Sequence, residues 1–341
     1  MKRNKAKYYL IPAIICMAGI VAIGYFYFFT AFSIKAEKQY VFIDDDDTAD
    51  SVYAKLEPVA SHHALTGFRT LARHFSYGEK IRTGRFAIEP GMNTVNTFRM
   101  IKNGQQEPVM LTIPECRTIE QLAARLSVKL MIDSTTIAQT LTDEEYCKQL
   151  GYDTCTIVCV FVPNSYEVYW NTSIEKLMGR MVKEHDKFWT PERKQKATAL
   201  GLSPNEVCTL ASIIDEETAN NAEKPMIAGM YLNRLKIGMP LQADPTVKFA
   251  LKDFALKRIY HGHLEIDSPY NTYKNIGLPP GPIKVASIQG VDAVLNRVAH
   301  NYIYMCAKED FSGTHNFAAN YQEHLKNAAR YSKALNERGI K

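Results

Sequence analysis

Near the middle of the chain three consecutive acids, Asp215, Glu216 and Glu217, close an apolar helical pattern. Ser203-Pro204-Asn205-Glu206 reads as a capping box, with Ser203 as N-cap, Pro204 at N1 and Glu206 at N3. The spacing therefore predicts a helix from Ser203 to about Asn220. At about 100° per residue, Val207, Leu210, Ile213 and Ile214 form one stripe, and Glu217 falls within roughly 20° of Leu210. On the same wheel Asp215 and Glu216 lie on the flanks or back, where a carboxylate is solvated. A carboxyl group directed at a core or cleft has its pKa raised and holds its proton near neutral pH, as a general acid must. The wheel leaves a second reading open, in which Glu217 lies beyond the core at the helix end and pairs with a Lys or Arg.

The block Leu210-Ala211-Ser212-Ile213-Ile214-Asp215-Glu216-Glu217-Thr218 resembles the signature of the MltG/YceG family of endolytic murein transglycosylases. Three further blocks follow in the same order: Asn233 to Val247, with Gln242-Ala243-Asp244-Pro245-Thr246 inside it; Tyr270-Asn271-Thr272-Tyr273 with Gly277 to Ile283; and His315-Asn316-Phe317. The resemblance extends from the apolar N-terminal segment to about Asn327. It implies that Glu217 takes the catalytic position and that Asp215 stands where the family has its preceding Glu. In Phe161-Val162-Pro163-Asn164-Ser165-Tyr166-Glu167 the chain departs from the family's Phe-Pro-Asp-Thr-Tyr, so no negative charge stands at Asn164.

Hydrolytic glycosidases need two carboxylates, and a clear case exists here for Glu217 alone. A lytic transglycosylase can manage with one, used first as acid and then as base. The resemblance implies that reaction: cleavage of the MurNAc–GlcNAc bond of nascent glycan strands to give 1,6-anhydro-MurNAc ends, terminating polymerisation beside the peptidoglycan synthases. Asp244 is the candidate helper, against an Asx-turn before Pro245 as its structural role. Asn233, Gln242, Tyr270, Asn271, Tyr273 and His315 are candidate substrate-binding residues, and Tyr166, Tyr169, Tyr231 and Asn320 could add ring faces or an amide. Two other classes stay in view: a two-carboxylate muramidase using Glu217 and Asp244, and a non-catalytic murein-binding scaffold.

The elements that must position these groups divide the chain. Its 341 residues, 46% of them apolar, suffice for two soluble modules. A net charge of +5, partly carried by the first residues, does not argue for nucleic acid. Lys2, Arg3, Lys5 and Lys7 precede a charge-free run over 8–32, which reads as a single transmembrane helix with residues 1–7 in the cytoplasm and the rest outside. A cleaved signal peptide is the other reading of this run, although it lacks a clear small-x-small site.

Over 40–132 a small unit recurs in which a turn delivers a Thr and then an amphipathic helix, at Thr48, Thr94 and Thr118, with strands such as Val109 to Ile113 between. This alternation resembles a small LysM-like α/β module, against a structural spacer. Residues 133–341 are then the larger mixed α+β catalytic domain, giving an α+β chain overall, with helices at 174–187, 203–220 and 224–235 and loops at 241–246 and 278–283.

No metal or other cofactor is expected. The Asp44 to Asp47 run lacks the Gly and distal Glu of an EF-hand and reads as a solvated turn before the helix after Thr48. His261 and His263, at strand-like spacing, and the adjacent His62 and His63 have no carboxylate or Cys set at zinc spacing. Cys116, Cys147, Cys155, Cys159, Cys208 and Cys306 permit disulfides or buried thiols, and spacing does not choose.

Overall fold

The computed structural model describes residues 3–256 and 258–339, with side chains from residue 8 onward; Lys2 and the side chains of Arg3, Lys5 and Lys7 lie outside the described set. Two compact units are formed. The first comprises Met1–Met110, Lys129–Met131 and Glu167–Thr172, and the second Leu111–Val128, Ile132–Tyr166 and Ser173–Lys341. The first boundary thus falls after Met110, where 132 was expected, because helix α5 (Ile119–Ser127) packs on α6 (Ser134–Thr142) of the larger unit.

The first unit begins with α1 (Arg3–Phe28), of which Tyr8–Phe28 is long and apolar enough to cross a membrane, with a mean hydropathy of 2.1. The helix stops four residues before the end of the apolar run. Phe32, assigned to the span on composition, is fully buried in the core of this unit with Ile43, Leu56, Phe68, Phe86 and Ile101. Strand β1 (Gln39–Ile43) pairs antiparallel with β2 (Gly84–Ile88), Val41 opposite Phe86. Between them lie α2 (Ala49–Leu56) and α3 (His62–His74), and α4 (Thr94–Asn103) follows.

Local capping explains these helix starts: Thr48 and Ser61 accept hydrogen bonds from Ser51 N–H and Ala64 N–H, and Asn93, one residue before the expected Thr94, caps α4. Asp45 and Asp46 are exposed in a turn, as expected, whereas the Asp47 side chain is buried. Asp47 accepts from Lys55 Nζ at 2.6 Å and from Ser51 Oγ at 2.6 Å, which holds its carboxyl below the usual range.

The second unit is mainly helical. After α5 and α6 come α7 (Glu144–Gln149), α8 (Ile174–Phe188), α9 (Pro191–Ala199), α10 (Pro204–Glu217), α11 (Lys224–Lys236), α12 (Asp244–Leu251), α13 (His261–Leu264), α14 (Ile288–Leu295) and α15 (Tyr321–Glu337). Strands are short: β3 (Val109–Thr112) pairs with β4 (Ser165–Val168), each divided between the two units, and within the second unit β5 (Tyr304–Ala307) pairs antiparallel with β6 (His315–Ala318). His261 and His263 thus sit in a one-turn helix and not on a strand. The mixed α+β class expected from the sequence holds, with helices carrying most of it.

Helix α10 is the axis of the second unit. Every residue from Val207 to Ile214 is buried, including Thr209 and Ser212, and α9, α11, α12 and α14 all pack on it. A helix covered on all sides has no solvent face, so the wheel drawn from sequence identified a stripe that burial does not respect.

Candidate active site

The capping box forms as expected: Glu206 Oε2 accepts from Ser203 N–H at 2.7 Å, and Ser203 Oγ accepts from Glu206 N–H. At the other end Thr218 turns extended, at φ −147° and ψ 137°, so the helix ends on Glu217 and not near Asn220. The three acids therefore occupy its last turn, which is unfavourable for negative charge unless each is compensated.

They are compensated in three different ways. Asp215, expected on a solvated flank, is buried: its side chain is 2% exposed and accepts from Lys224 Nζ, Ser287 Oγ and Ser287 N–H, each at 2.7 Å. Glu216 accepts from Arg117 at 2.8 and 3.1 Å and lies 3.4 Å from Lys284 Nζ. Glu217 has no cation at hydrogen-bond distance among the described residues, and its Oε1 accepts from the Tyr231 hydroxyl at 2.6 Å. Burial raises the Glu217 pKa; the Tyr231 hydrogen bond opposes this, Asp244 adds to it, and His315 and Lys248 oppose it at longer range. Tyr231, itself 1% exposed on α11, is held well above the ordinary tyrosine value by burial and by Glu217, so it stays a donor.

Asp244 is on neither a loop nor an Asx-turn. It is the first residue of α12, followed by Pro245, and its Oδ1 accepts from the Tyr273 hydroxyl at 2.6 Å. The loop that delivers it is fixed from two sides. Arg234 donates to the carbonyls of Pro240 and Leu241, while Thr272 accepts from Gln242 N–H and Ala243 N–H, both at 3.0 Å. That clamp holds Gln242 in the left-handed region at φ 49° with its side chain exposed.

Among the other sequence-proposed residues the structure separates solvent-facing groups from internal braces. Tyr273 is partly exposed and coupled to both Asp244 and Glu217. Tyr270 packs against Phe249 with the ring planes tilted by 48° and the centroids 4.7 Å apart. Asn271 is fully buried, donating to the carbonyls of Leu264 and Ile266 and accepting from Tyr273 N–H, so it shapes the loop from inside. Asn233 donates to the carbonyls of His300 and Tyr302 and ties α11 to the segment before β5. His315 donates its N–H to Glu223 Oε1 at 2.6 Å, with its ring Nδ1 3.1 Å from Oε2. Asn320 caps α15, and Tyr166 is a core residue bonded to the Val162 carbonyl, whereas Tyr169 belongs to the first unit. Asn164 turns its side chain to its own neighbour, accepting from Ser165 N–H.

Sequence reasoning gave no role to Arg234, Thr272 or Glu223, and it treated Tyr231 only as a ring face. One signal was available for Tyr231. A tyrosine inside the buried run Ile227-Ala228-Gly229-Met230-Tyr231-Leu232 must find a partner for its hydroxyl. Arg117, Phe249, Phe254 and Tyr270, with Cys116 and Lys284, line a cleft of about 370 Å³. A smaller cavity of about 40 Å³ between Glu216, Pro245, Lys248 and Ile283 shares Arg117, Phe249 and Phe254 with it.

Comparison with known proteins gives the family of the chain. Residues 41–330 match the YceG-like family. A Bacillus subtilis protein named endolytic murein transglycosylase is 30% identical over 276 residues, covering 75% of each chain. One of the same name from Streptococcus pneumoniae is 26% identical over 294 residues, 77% of this chain and 53% of that one. The crystal structure of a yceG-like protein from Listeria monocytogenes superposes with a TM-score of 0.57 at 28% identity, covering 86% of this chain and 99% of that one. With residues 41–330 of its 341 inside the family's match and a crystallographic neighbour of the same description, the chain belongs to the YceG-like family.

Proposed function

We propose that this protein is an endolytic murein transglycosylase, a lyase acting on peptidoglycan glycan strands, with Glu217 as its acid and base. The relatives that carry this name support the activity. The observation that carries the residue assignment is that Glu217, of the three acids ending α10, is the one without a cation partner among the described residues and with a pKa raised by burial. In this reading Glu217 acts first in its protonated form, the form that burial favours. It gives its proton to the glycosidic oxygen as the bond from C1 of N-acetylmuramic acid breaks. The resulting carboxylate takes the proton of the C6 hydroxyl as O6 closes onto C1, which leaves a 1,6-anhydro end and restores the acid without water.

Asp244 is assigned the helper role, its charge facing the cation that develops at C1 while the Tyr273 hydroxyl fixes its orientation. Gln242 and Tyr273 are the proposed substrate contacts, since both are reachable from solvent beside Asp244. Tyr270 is proposed to present its ring from the neighbouring cleft. Asn233, Asn271 and His315 are proposed to act on substrate indirectly, by holding the elements that carry these groups. The chain is proposed to lie in the cytoplasmic membrane through α1 with both units outside, cutting nascent strands and ending their polymerisation beside the synthases. In the first unit the order strand, two helices, antiparallel strand supports the LysM-like reading of a module that holds glycan.

Digestion of isolated sacculi by the full chain in detergent, with mass spectrometry of the fragments, tests this function. Anhydro ends are expected, and Glu217→Gln is expected to lower their release by at least about a hundredfold because one residue serves both proton transfers. Asp244→Asn is expected to slow turnover with anhydro ends retained. Reducing ends, lost equally in both variants, would instead establish a two-carboxylate muramidase.

A further inference from the structure

The junction between α1 and the first unit contains no linker. Phe32 N–H donates to the Met92 carbonyl at 2.8 Å, Ser61 N–H donates to the Phe32 carbonyl at 2.9 Å, and Ile34 N–H donates to the Val59 carbonyl at 2.9 Å. Bridges at Ala31–Asn93 and Ser33–Ala60 flank the buried Phe32. The last turn of α1 is itself packed against the unit: the Phe26 ring stacks on His63 at 4.1 Å, and Thr30 Oγ1 lies 2.9 Å from His63 Nε2. Gly67 completes the seat. A Cβ there would collide with the Tyr27 carbonyl and press on Thr94 at 3.3 Å, so α1, α3 and α4 meet at a point that admits no side chain.

Depth follows from length. The 21 residues of Tyr8–Phe28 rise about 32 Å, which matches a hydrocarbon core of about 30 Å. Phe26 and Tyr27 then lie at the outer edge of that core, and whatever packs on them lies among the headgroups. The composition of α3 and α4 fits that medium. There is no Asp or Glu between Glu57 and Glu79 or between Glu89 and Glu107, whereas Arg69, Arg73, Arg99 and Lys102 all fall in these two stretches. The acids of the unit are carried elsewhere, at Glu37, in the Asp44 to Asp47 run, and at Asp50, Glu57, Glu79, Glu89, Glu107 and Glu167.

We propose that the first unit is seated on the membrane surface, with the exposed side chains His62, Thr66 and Thr70 of α3 in the headgroup layer of the bilayer that α1 crosses, and that the acid-free helices α3 and α4 make this a contact with anionic lipid. The proposal rests on the reading of α1 as a membrane anchor. It makes the module a rigid foot of the enzyme: its height above the bilayer is set by packing at Gly67, with no chain length to vary it.

Full-length protein in nanodiscs of phosphatidylcholine brominated near the headgroup end of its acyl chains tests the seat, with one tryptophan added at a time. Tyr25→Trp, inside the span, is expected to be quenched relative to the two native tryptophans, and Thr66→Trp and Thr70→Trp nearly as strongly. Asp45→Trp, in the acidic run after β1, is expected to be unaffected. Quenching at Tyr25→Trp with none at Thr66→Trp or Thr70→Trp would overturn the seat and leave the anchor standing, whereas loss at Tyr25→Trp would remove the anchor itself. Equal quenching at Asp45→Trp would also overturn the seat, since contact would then not be confined to α3. Adding phosphatidylglycerol is expected to increase hydrogen-exchange protection of α3 and α4. Combined Arg69→Gln, Arg73→Gln and Arg99→Gln is expected to abolish that increase; protection indifferent to anionic lipid would overturn the electrostatic half of the proposal.

Discussion

Burial pushes the Glu217 pKa up, and the Tyr231 hydroxyl at 2.6 Å opposes that shift. In the proposed mechanism Tyr231→Phe removes the opposing influence, and the alkaline limb of the kcat profile is expected to move to higher pH. A change in rate with no movement of that limb would count against this opposition by Tyr231. The same coupling predicts a stability effect. Because the folded-state pKa of Glu217 is raised, the stability this group contributes is complete below the ordinary carboxylate range and is lost as pH rises through the folded value. Glu217→Gln is therefore expected to raise Tm more at about pH 8 than at about pH 4. Glu216→Gln is expected to leave turnover nearly unchanged, since that carboxylate is committed to Arg117 and Lys284.

At the scale of elements, the site depends on how α10, α11 and α14 are tied together. Asp215 joins all three, through Lys224 at the start of α11 and Ser287 at the cap of α14, and Gly290 leaves room for it. A Cβ on Gly290 would come within 2.6 Å of the Asp215 carboxylate. Removing one partner of a buried pair leaves the other charged and unpaired, so Asp215→Ala is expected to cost about 3–5 kcal/mol in urea unfolding. Gly290→Ala is expected to destabilise in the same direction by displacing the same carboxylate. If Asp215→Ala unfolds at the wild-type midpoint, Lys224 has another partner and the tie is not what holds the helices.

For the molecule as a whole, a helix of mean hydropathy 2.1 with exposed side chains belongs to a chain whose two units each have a buried core. Exposed apolar surface of that extent is stable in lipid and not in water. The Lys and Arg residues ahead of it predict the cytoplasmic side for the N-terminus. A reporter active only outside the cytoplasm, fused after Lys341, is expected to be active in cells, and the mature chain is expected to retain its N-terminus. A soluble, shortened product would remove both the anchor and the membrane-proximal cutting proposed from it.

What the sequence determines by itself is what neighbouring residues decide. The start of α10 was legible because a capping box needs only positions i and i+3, and the apolar span because lipid reads composition. The recognised blocks located Glu217, although the helical wheel that first singled it out rested on a solvent face that α10 does not have. Only the tertiary structure decided the fates of the three acids. Their partners lie 9 residues away at Lys224, 14 at Tyr231, 72 at Ser287 and 99 at Arg117, separations over which no periodicity carries information. The same holds for Asp244 and Phe32. One became the first residue of a helix because Arg234 and Thr272 clamp the loop before it, and the other left the apolar run for a protein core, since a buried aromatic ring is stabilised by whichever apolar surroundings close around it.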